Sequence, residues 1–113
     1  MEVTSESLEG TRVIAVAGEI DLSSVAAVQA HIDAAFADGE SRLVIDLEHV
    51  PFLDSAALHM LVRALQRARR AGGSIALVCV DPSIRRMLDV FGLSGEVEIC
   101  DTVSEAITAL TGR

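Results

Sequence analysis

The chain is organised around a stretch in which an apolar segment ends and a helix begins, Val50-Pro51-Phe52-Leu53-Asp54-Ser55-Ala56-Ala57-Leu58-His59-Met60-Leu61. Upstream of it, residues 42–47 form an apolar run that is typical of a buried strand. Downstream, apolar residues recur at helical spacing: Leu58, Leu61, Val62 and Leu65. The Asp54-Ser55 pair therefore marks a helix start, and we predict a helix over residues 55–71 that ends at Gly72-Gly73.

Ser55 is expected at the carboxyl-terminal edge of a sheet. In open α/β sheets, ligands and partners usually meet the fold outside this edge. Asp21 follows the second predicted strand, and neighbouring loops at this edge converge, so we expect Asp21 near Ser55. The same carboxylate could instead cap a helix or interact with its dipole, and the two roles are compatible.

Composition favours one domain over residues 1–113. Half of the 113 residues are hydrophobic, so the chain can bury a core without disulfides or a structural metal. With three Phe and no Trp or Tyr, that core must consist of aliphatic side chains. Cys79 and Cys100 lack the paired spacing of a zinc site, and we interpret them as small buried apolar residues.

The net charge and the distribution of apolar residues exclude several function classes. Nine basic and 17 acidic residues give a net charge of -8, which repels the phosphate backbone, so no nucleic-acid partner is expected. No uncharged apolar run approaches the roughly 18 residues needed to span a bilayer, and residues 1–6 lack the features of a secretory signal. We predict a cytoplasmic protein with reduced cysteines, no membrane insertion, no metal and no cofactor.

The order of the elements predicts an α/β fold. The pattern reads ββαβαβαβα, with five strands, four helices and a mostly parallel sheet that has one antiparallel edge strand. The first two strands form a hairpin through Glu9-Gly10, and its first strand is exposed. The last two strands are expected over residues 74–80 and 96–100.

Each of the other helices has its own start signal. Ser23 or Ser24 should cap the first helix. Asp81-Pro82 begins the third helix, and Thr102 with Glu105 forms a capping box for the fourth.

These segments resemble the STAS domain family, named for sulfate transporters and anti-sigma factor antagonists. The resemblance covers nearly the whole chain and rests on four segments: Gly18-Glu19-Ile20-Asp21, Leu43-Val44-Ile45-Asp46-Leu47, Phe52-Leu53-Asp54-Ser55, and Asp81-Pro82-Ser83-Ile84-Arg85-Arg86-Met87-Leu88 with Phe91-Gly92-Leu93. It implies a STAS-like fold. Where the family usually has a second Ser or Thr and then a Gly, this chain has Ala56 and Ala57.

The resemblance also implies a function. In single-domain relatives, a partner kinase phosphorylates the serine directly after the motif aspartate, which corresponds to Ser55. The chain would then be an anti-sigma factor antagonist, not an enzyme. Unphosphorylated, it would bind an anti-sigma factor serine kinase and free a sigma factor; the kinase would supply ATP and Mg²⁺, and a serine phosphatase would reset the switch. The expected partner-binding residues are Asp21, Asp54, Ser55, Ala56 and Arg63.

Three alternatives stay open. Asp54 or Ser55 could have no role other than to cap the helix, which would contribute about 1 kcal/mol to stability. The chain could be a non-phosphorylated scaffold, such as an accessory subunit of a membrane transporter. It could also be a serine hydrolase that uses Asp54, Ser55 and His59, but it lacks a Gly-x-Ser-x-Gly elbow and an oxyanion loop, so His59 is interpreted as a boundary residue.

Arginines recur along the second helix at helical spacing, at Arg63, Arg67 and Arg70. Such a stripe is usually a solvated face. It could alternatively contact an acidic partner, because Arg makes bidentate bonds to carboxylates.

Overall fold

The chain forms five strands and four α-helices in a computed structural model that describes residues 1–112. In chain order the elements are β1 (Glu2–Leu8), β2 (Thr11–Ala17), α1 (Val25–Ala37), β3 (Arg42–His49), α2 (Ser55–Arg70), β4 (Ser74–Val78), α3 (Pro82–Val90), β5 (Glu98–Cys100) and α4 (Val103–Thr111), with a short 3₁₀ helix at Leu93–Gly95 between α3 and β5.

The strands form one sheet in the order β1-β2-β3-β4-β5. β1 pairs antiparallel with β2, and every other neighbouring pair is parallel. Parallel neighbours need a crossover between them, and α1, α2 and α3 provide these connections. The predicted α/β class, the mostly parallel sheet and the antiparallel edge strand are confirmed.

The core lies on both faces of the sheet, because successive side chains of a strand point to opposite faces. On β3, Leu43, Ile45 and Leu47 pack with α1, α2 and α3 in the larger core. Val44 points the other way and packs with α4. Burying each such aliphatic side chain contributes roughly 1.5 to 3 kcal/mol, so this alternation fixes the register of the central strand.

The predicted caps of α3 and α4 are present. Asp81 accepts hydrogen bonds from the amides of Ser83 (2.8 Å) and Ile84 (3.2 Å), and the Thr102 hydroxyl accepts one from the amide of Glu105 (3.1 Å). Ser24 occupies the capping position of α1, but its side chain makes no capping bond. Its hydroxyl instead donates to the carbonyl of Glu19 (2.9 Å) within the preceding loop.

The predicted limits of the last two strands are wrong. β4 stops at Val78 instead of residue 80, because its pairing with both β3 and β5 ends at Val78, and Val80 is exposed. β5 starts at Glu98 instead of residue 96, because Gly92 adopts a left-handed conformation (φ 87°) and the chain then makes a 3₁₀ turn. Residues 96 and 97 therefore belong to the turn that connects α3 to the sheet edge.

The two cysteines lie on opposite faces of the sheet. Val78 pairs with Cys100, so Cys79 is one residue out of phase and packs into the larger core, while Cys100 packs on the α4 side. Burial raises the pKa of both thiols. Cys79 is buried as predicted, and Cys100 is half-buried.

Within residues 1–112, no helix combines the length and the apolar character that crossing a bilayer requires.

Gly73 is predicted to be a position where any side chain destabilises the fold. A Cβ there would collide with the carbonyl oxygen of Ser41, which accepts a hydrogen bond from the amide of Ser74 (3.0 Å) at the start of β4. Gly73→Ala should therefore lower the free energy of unfolding by about 1 to 3 kcal/mol, measured by urea titration. Gly95→Ala is the control, because a Cβ there meets no atom within 4 Å. Equal stability of the two variants would contradict the prediction.

Candidate functional site

The loop after β2 and the loop after β3 lie side by side beyond the ends of their strands. Ile20 and Leu53 form an isolated parallel bridge, and both are fully buried. The Ile20 amide donates to the Phe52 carbonyl (3.0 Å), and the Asp54 amide donates to the Ile20 carbonyl (3.2 Å). The pairing of β2 with β3 thus resumes past the strand ends and holds both loops at the carboxyl-terminal edge.

The Asp54 side chain connects these loops to α2. Its Oδ1 accepts a hydrogen bond from the amide of Ala57 (3.0 Å) and caps the helix. Its Oδ2 accepts one from the amide of Leu22 (2.9 Å) in the loop after β2. The capping role that the sequence left open between Asp54 and Ser55 therefore belongs to Asp54.

Ser55 is the first residue of α2, and its side chain is free to react or to bind. It is exposed, and its hydroxyl makes no hydrogen bond within residues 1–112. The first amides of a helix have no acceptor within the helix, and the helix dipole is positive at this end. An anion on the Ser55 oxygen would therefore be locally tolerated.

Asp21 shapes the neighbouring loop and stays ionised. Its Oδ1 accepts hydrogen bonds from the hydroxyl (2.7 Å) and the amide (2.9 Å) of Ser23. These bonds, chiefly the one from the hydroxyl, lower the pKa of the Asp21 carboxyl below its ordinary value. Its Oδ2 makes no hydrogen bond within residues 1–112. Since Leu22 is bound to Asp54, the structure brings the loops of Asp21 and Ser55 together as predicted.

Two exposed apolar side chains flank the site and were not predicted. Leu22 is 79% exposed and Phe52 is 45% exposed. Both come from the loops that the Asp54 hydrogen bonds join. Their signal in the sequence was the presence of large apolar residues in two loops that were expected to converge at a ligand-binding edge.

The predicted arginine stripe is divided in the structure. Arg67 forms an ion pair with Asp33 of α1, and its guanidinium lies 4.4 Å from the centre of the Phe36 ring. Arg63 and Arg70 are exposed and make no ion pair within residues 1–112. Only Arg63 and Arg70 of this set are therefore available to a partner; Arg67 holds two helices together.

The three residues of the hydrolase hypothesis do not form a triad. His59 uses Nδ1 to contact the backbone carbonyl of Ser55 (2.7 Å), and its ring packs edge-on against Phe91. Asp54 binds two backbone amides, so neither side chain holds the Ser55 hydroxyl. A nucleophilic serine needs a base within hydrogen-bond reach, which this arrangement does not supply.

Ala56 is half-buried beside Ser55, and Ala57 is buried in the core. Ser55 therefore carries the hydroxyl of this turn without a competing hydroxyl on the next two residues. Across residues 1–112, no three His, Cys, Asp or Glu side chains cluster in a way that could hold a metal ion.

The comparisons with known proteins agree with this geometry. The family model of the STAS domain matches residues 2–106. Anti-sigma-F factor antagonist RsfB of Mycobacterium tuberculosis is 32% identical over 112 residues, which cover 97% of this chain and 89% of that protein.

Solved structures show the same fold. The crystal structure of an anti-sigma factor antagonist from Mycobacterium paratuberculosis superposes with a TM-score of 0.88 at 31% identity, covering 96% of this chain and 92% of that one. The anti-sigma factor antagonist SpoIIAA has a TM-score of 0.75 in its unphosphorylated form (22% identity, covering 96% of each chain) and also in its phosphorylated Bacillus form (24% identity, covering 96% and 98%). With a family match over almost its full length, this chain belongs to the STAS domain family.

Proposed function

We propose that this chain is an anti-sigma factor antagonist that works as a phosphorylation-controlled binding protein. The observation that carries the proposal is the exposed, unbonded Ser55 hydroxyl at the start of α2, between two loops joined by Asp54. In its unphosphorylated form the chain binds an anti-sigma factor serine kinase and thereby frees a sigma factor. The relative from Mycobacterium tuberculosis and the similar structure from Mycobacterium paratuberculosis, both anti-sigma factor antagonists, support this role.

The kinase supplies the chemistry, and this chain supplies the acceptor. The Ser55 Oγ attacks the γ-phosphorus of ATP held with Mg²⁺ by the kinase; the bond to ADP breaks, and the hydroxyl proton passes to a base of the kinase. A serine phosphatase hydrolyses the phosphoserine and resets the switch. We place this exchange in the cytoplasm, where the kinase has ATP.

Phosphorylation acts on the interface and leaves the fold intact. The phosphate meets the unpaired amides and the positive dipole at the start of α2. At the surface it adds a charge of about -1.5 to -2 next to Asp54 and the ionised Asp21. A partner shaped for a neutral hydroxyl then meets repulsion and an uncompensated desolvation cost. SpoIIAA supports a stable phosphorylated fold, because both of its forms share the architecture of this chain.

The partner surface consists of a polar centre with apolar flanks. Asp21, Asp54, Ser55 and Ala56 form the centre, and Leu22 and Phe52 extend it with exposed apolar area. Arg63 lies eight residues after Ser55 on α2, roughly 12 Å along the helix, where its unpaired guanidinium can contact a partner carboxylate.

We predict that Ser55 is the phosphorylated residue. The competing hydroxyls are less available, since Ser23 donates to Asp21 (2.7 Å) and Ser24 to Glu19 (2.9 Å). Incubation with ATP and lysate of the native host, followed by mass spectrometry, should place phosphate on wild type and on the control Ser83→Ala. Ser55→Ala should take up none. A full equivalent of phosphate on Ser55→Ala would overturn the assignment, and no phosphate on wild type would favour the scaffold alternative.

We predict that Asp21 serves partner binding more than folding. Asp21→Asn keeps the shape and the local hydrogen-bond acceptor but removes the charge, so affinity for the kinase should fall about tenfold, or about 1.4 kcal/mol. Unfolding stability should change by less than about 1 kcal/mol. Asp33→Asn is the control, because that carboxylate also has a lowered pKa but pairs with Arg67 between two helices. A stability loss of about 2 kcal/mol with unchanged affinity would show a structural role instead.

We predict that phosphorylation of Ser55 weakens kinase binding more than tenfold, because the added charge repels the partner. The melting temperature should stay close to that of the unmodified protein, because the dipole of α2 favours a negative charge at this position. Ser55→Asp should lose affinity in the same direction, and Ser55→Ala should remain a constitutive binder. Calorimetric titration against the kinase and thermal melts measure both quantities. Equal affinities would refute the switch, and a phosphorylated form that melts far lower would replace repulsion with local unfolding.

A further inference from the structure

An apolar groove lies between α2 and the end of α3. It has a volume of about 290 Å³ and is lined by Leu58, Arg86, Met87, Val90 and Phe91. Val90 is 82% exposed at its rim. Met87 and Phe91 are half-buried and Leu58 is buried, so the groove is a concave apolar surface with one well-exposed apolar side chain at its edge. Single exposed apolar residues are ordinary, whereas a concave apolar surface is the usual form of a binding site.

The groove is continuous with the surface around Ser55. Leu58 stands one turn after Ser55, and its amide donates to the carbonyl of Asp54 (3.1 Å). His59 links Ser55 to the groove. Its Nδ1 contacts the Ser55 carbonyl (2.7 Å), and its ring packs edge-on against Phe91 with 5.2 Å between the ring centres. A partner seated over Ser55 therefore reaches the groove without crossing a charged barrier on α2.

The rim of the groove carries an unpaired positive charge. Arg86 is exposed and makes no ion pair or hydrogen bond within residues 1–112. Its neighbour Arg85, in contrast, binds Asp101 and the carbonyl of Cys79 (both 2.6 Å). On a chain with a net charge of -8, a free guanidinium beside an apolar groove favours an occupant that presents a carboxylate.

A second copy of this chain fits the groove poorly. A two-fold contact centred on it would place one Arg86 against the other and would bring together two chains of charge -8. The small volume and the almost wholly apolar lining suit a side chain presented by a helix, the usual way in which an amphipathic helix fills a hydrophobic groove.

We propose that the anti-sigma factor kinase inserts one large apolar side chain of a helix into this groove and sets a carboxylate of the same helix on Arg86. The inference rests on the proposed function and deepens it. The switch at Ser55 then governs an interface with two parts: a polar part that phosphorylation disrupts and an apolar part that anchors the partner one helical turn away.

The test uses the purified anti-sigma factor kinase of the native host and calorimetric titration. Val90→Glu and Arg86→Glu should each weaken binding to the full chain tenfold or more. Leu8→Glu is the matched control, because it places the same acid on an exposed apolar position of β1, and its affinity should stay within twofold of wild type. Thermal melts confirm that each variant is folded; Val90 and Arg86 are exposed, so their melting temperatures should match the wild type.

The outcomes separate this inference from the proposed function. If Ser55 phosphorylation weakens binding but Val90→Glu and Arg86→Glu stay within twofold of wild type, the groove proposal is overturned and the switch stands. If the unmodified chain does not bind the kinase, both are overturned. If sedimentation shows a wild-type dimer that Val90→Glu dissociates without loss of kinase affinity, the occupant is a second copy and the proposal is wrong.

Discussion

The structure around the site depends on the two hydrogen bonds that the Asp54 carboxylate accepts. One bond caps α2 through the amide of Ala57, and the other holds the loop after β2 through the amide of Leu22. At this position, a side chain with a single acceptor oxygen could not offer a separate oxygen to each of the two amides. The carboxylate therefore joins a helix start to a loop more than thirty residues earlier in the chain.

This division of roles leaves Ser55 available. Serine commonly caps helices, and in that role its hydroxyl would be bound to a backbone amide. Because Asp54 performs the capping, the Ser55 hydroxyl stays exposed at the positive end of α2. The two oxygens of the Asp21 carboxylate also differ in role. Oδ1 accepts hydrogen bonds within its own loop, and Oδ2 makes no hydrogen bond within residues 1–112.

Two of the sequence predictions failed because of interactions between residues that are distant in the chain. The spacing of Arg63, Arg67 and Arg70 indicated one stripe, but Arg67 is drawn to Asp33 and Phe36 of α1. The sequence cannot show that pairing, because it depends on how two helices pack. In the same way, β4 ends at Val78, where its pairing with β3 and with the three-residue strand β5 also ends, and these partners are distant in the chain.

The sequence by itself determined the fold class, the order of the elements and the position of the Asp54-Ser55 helix start, because apolar periodicity and capping residues act over a few neighbouring residues. It also carried the segments that resemble the STAS family. Only the tertiary structure decided which oxygen of Asp54 meets which amide, that Leu22 and Phe52 stand exposed beside Ser55, and that His59 contacts Phe91 next to an apolar groove. These contacts join residues far apart in the chain, so their geometry follows from the packing of whole helices and loops on the sheet.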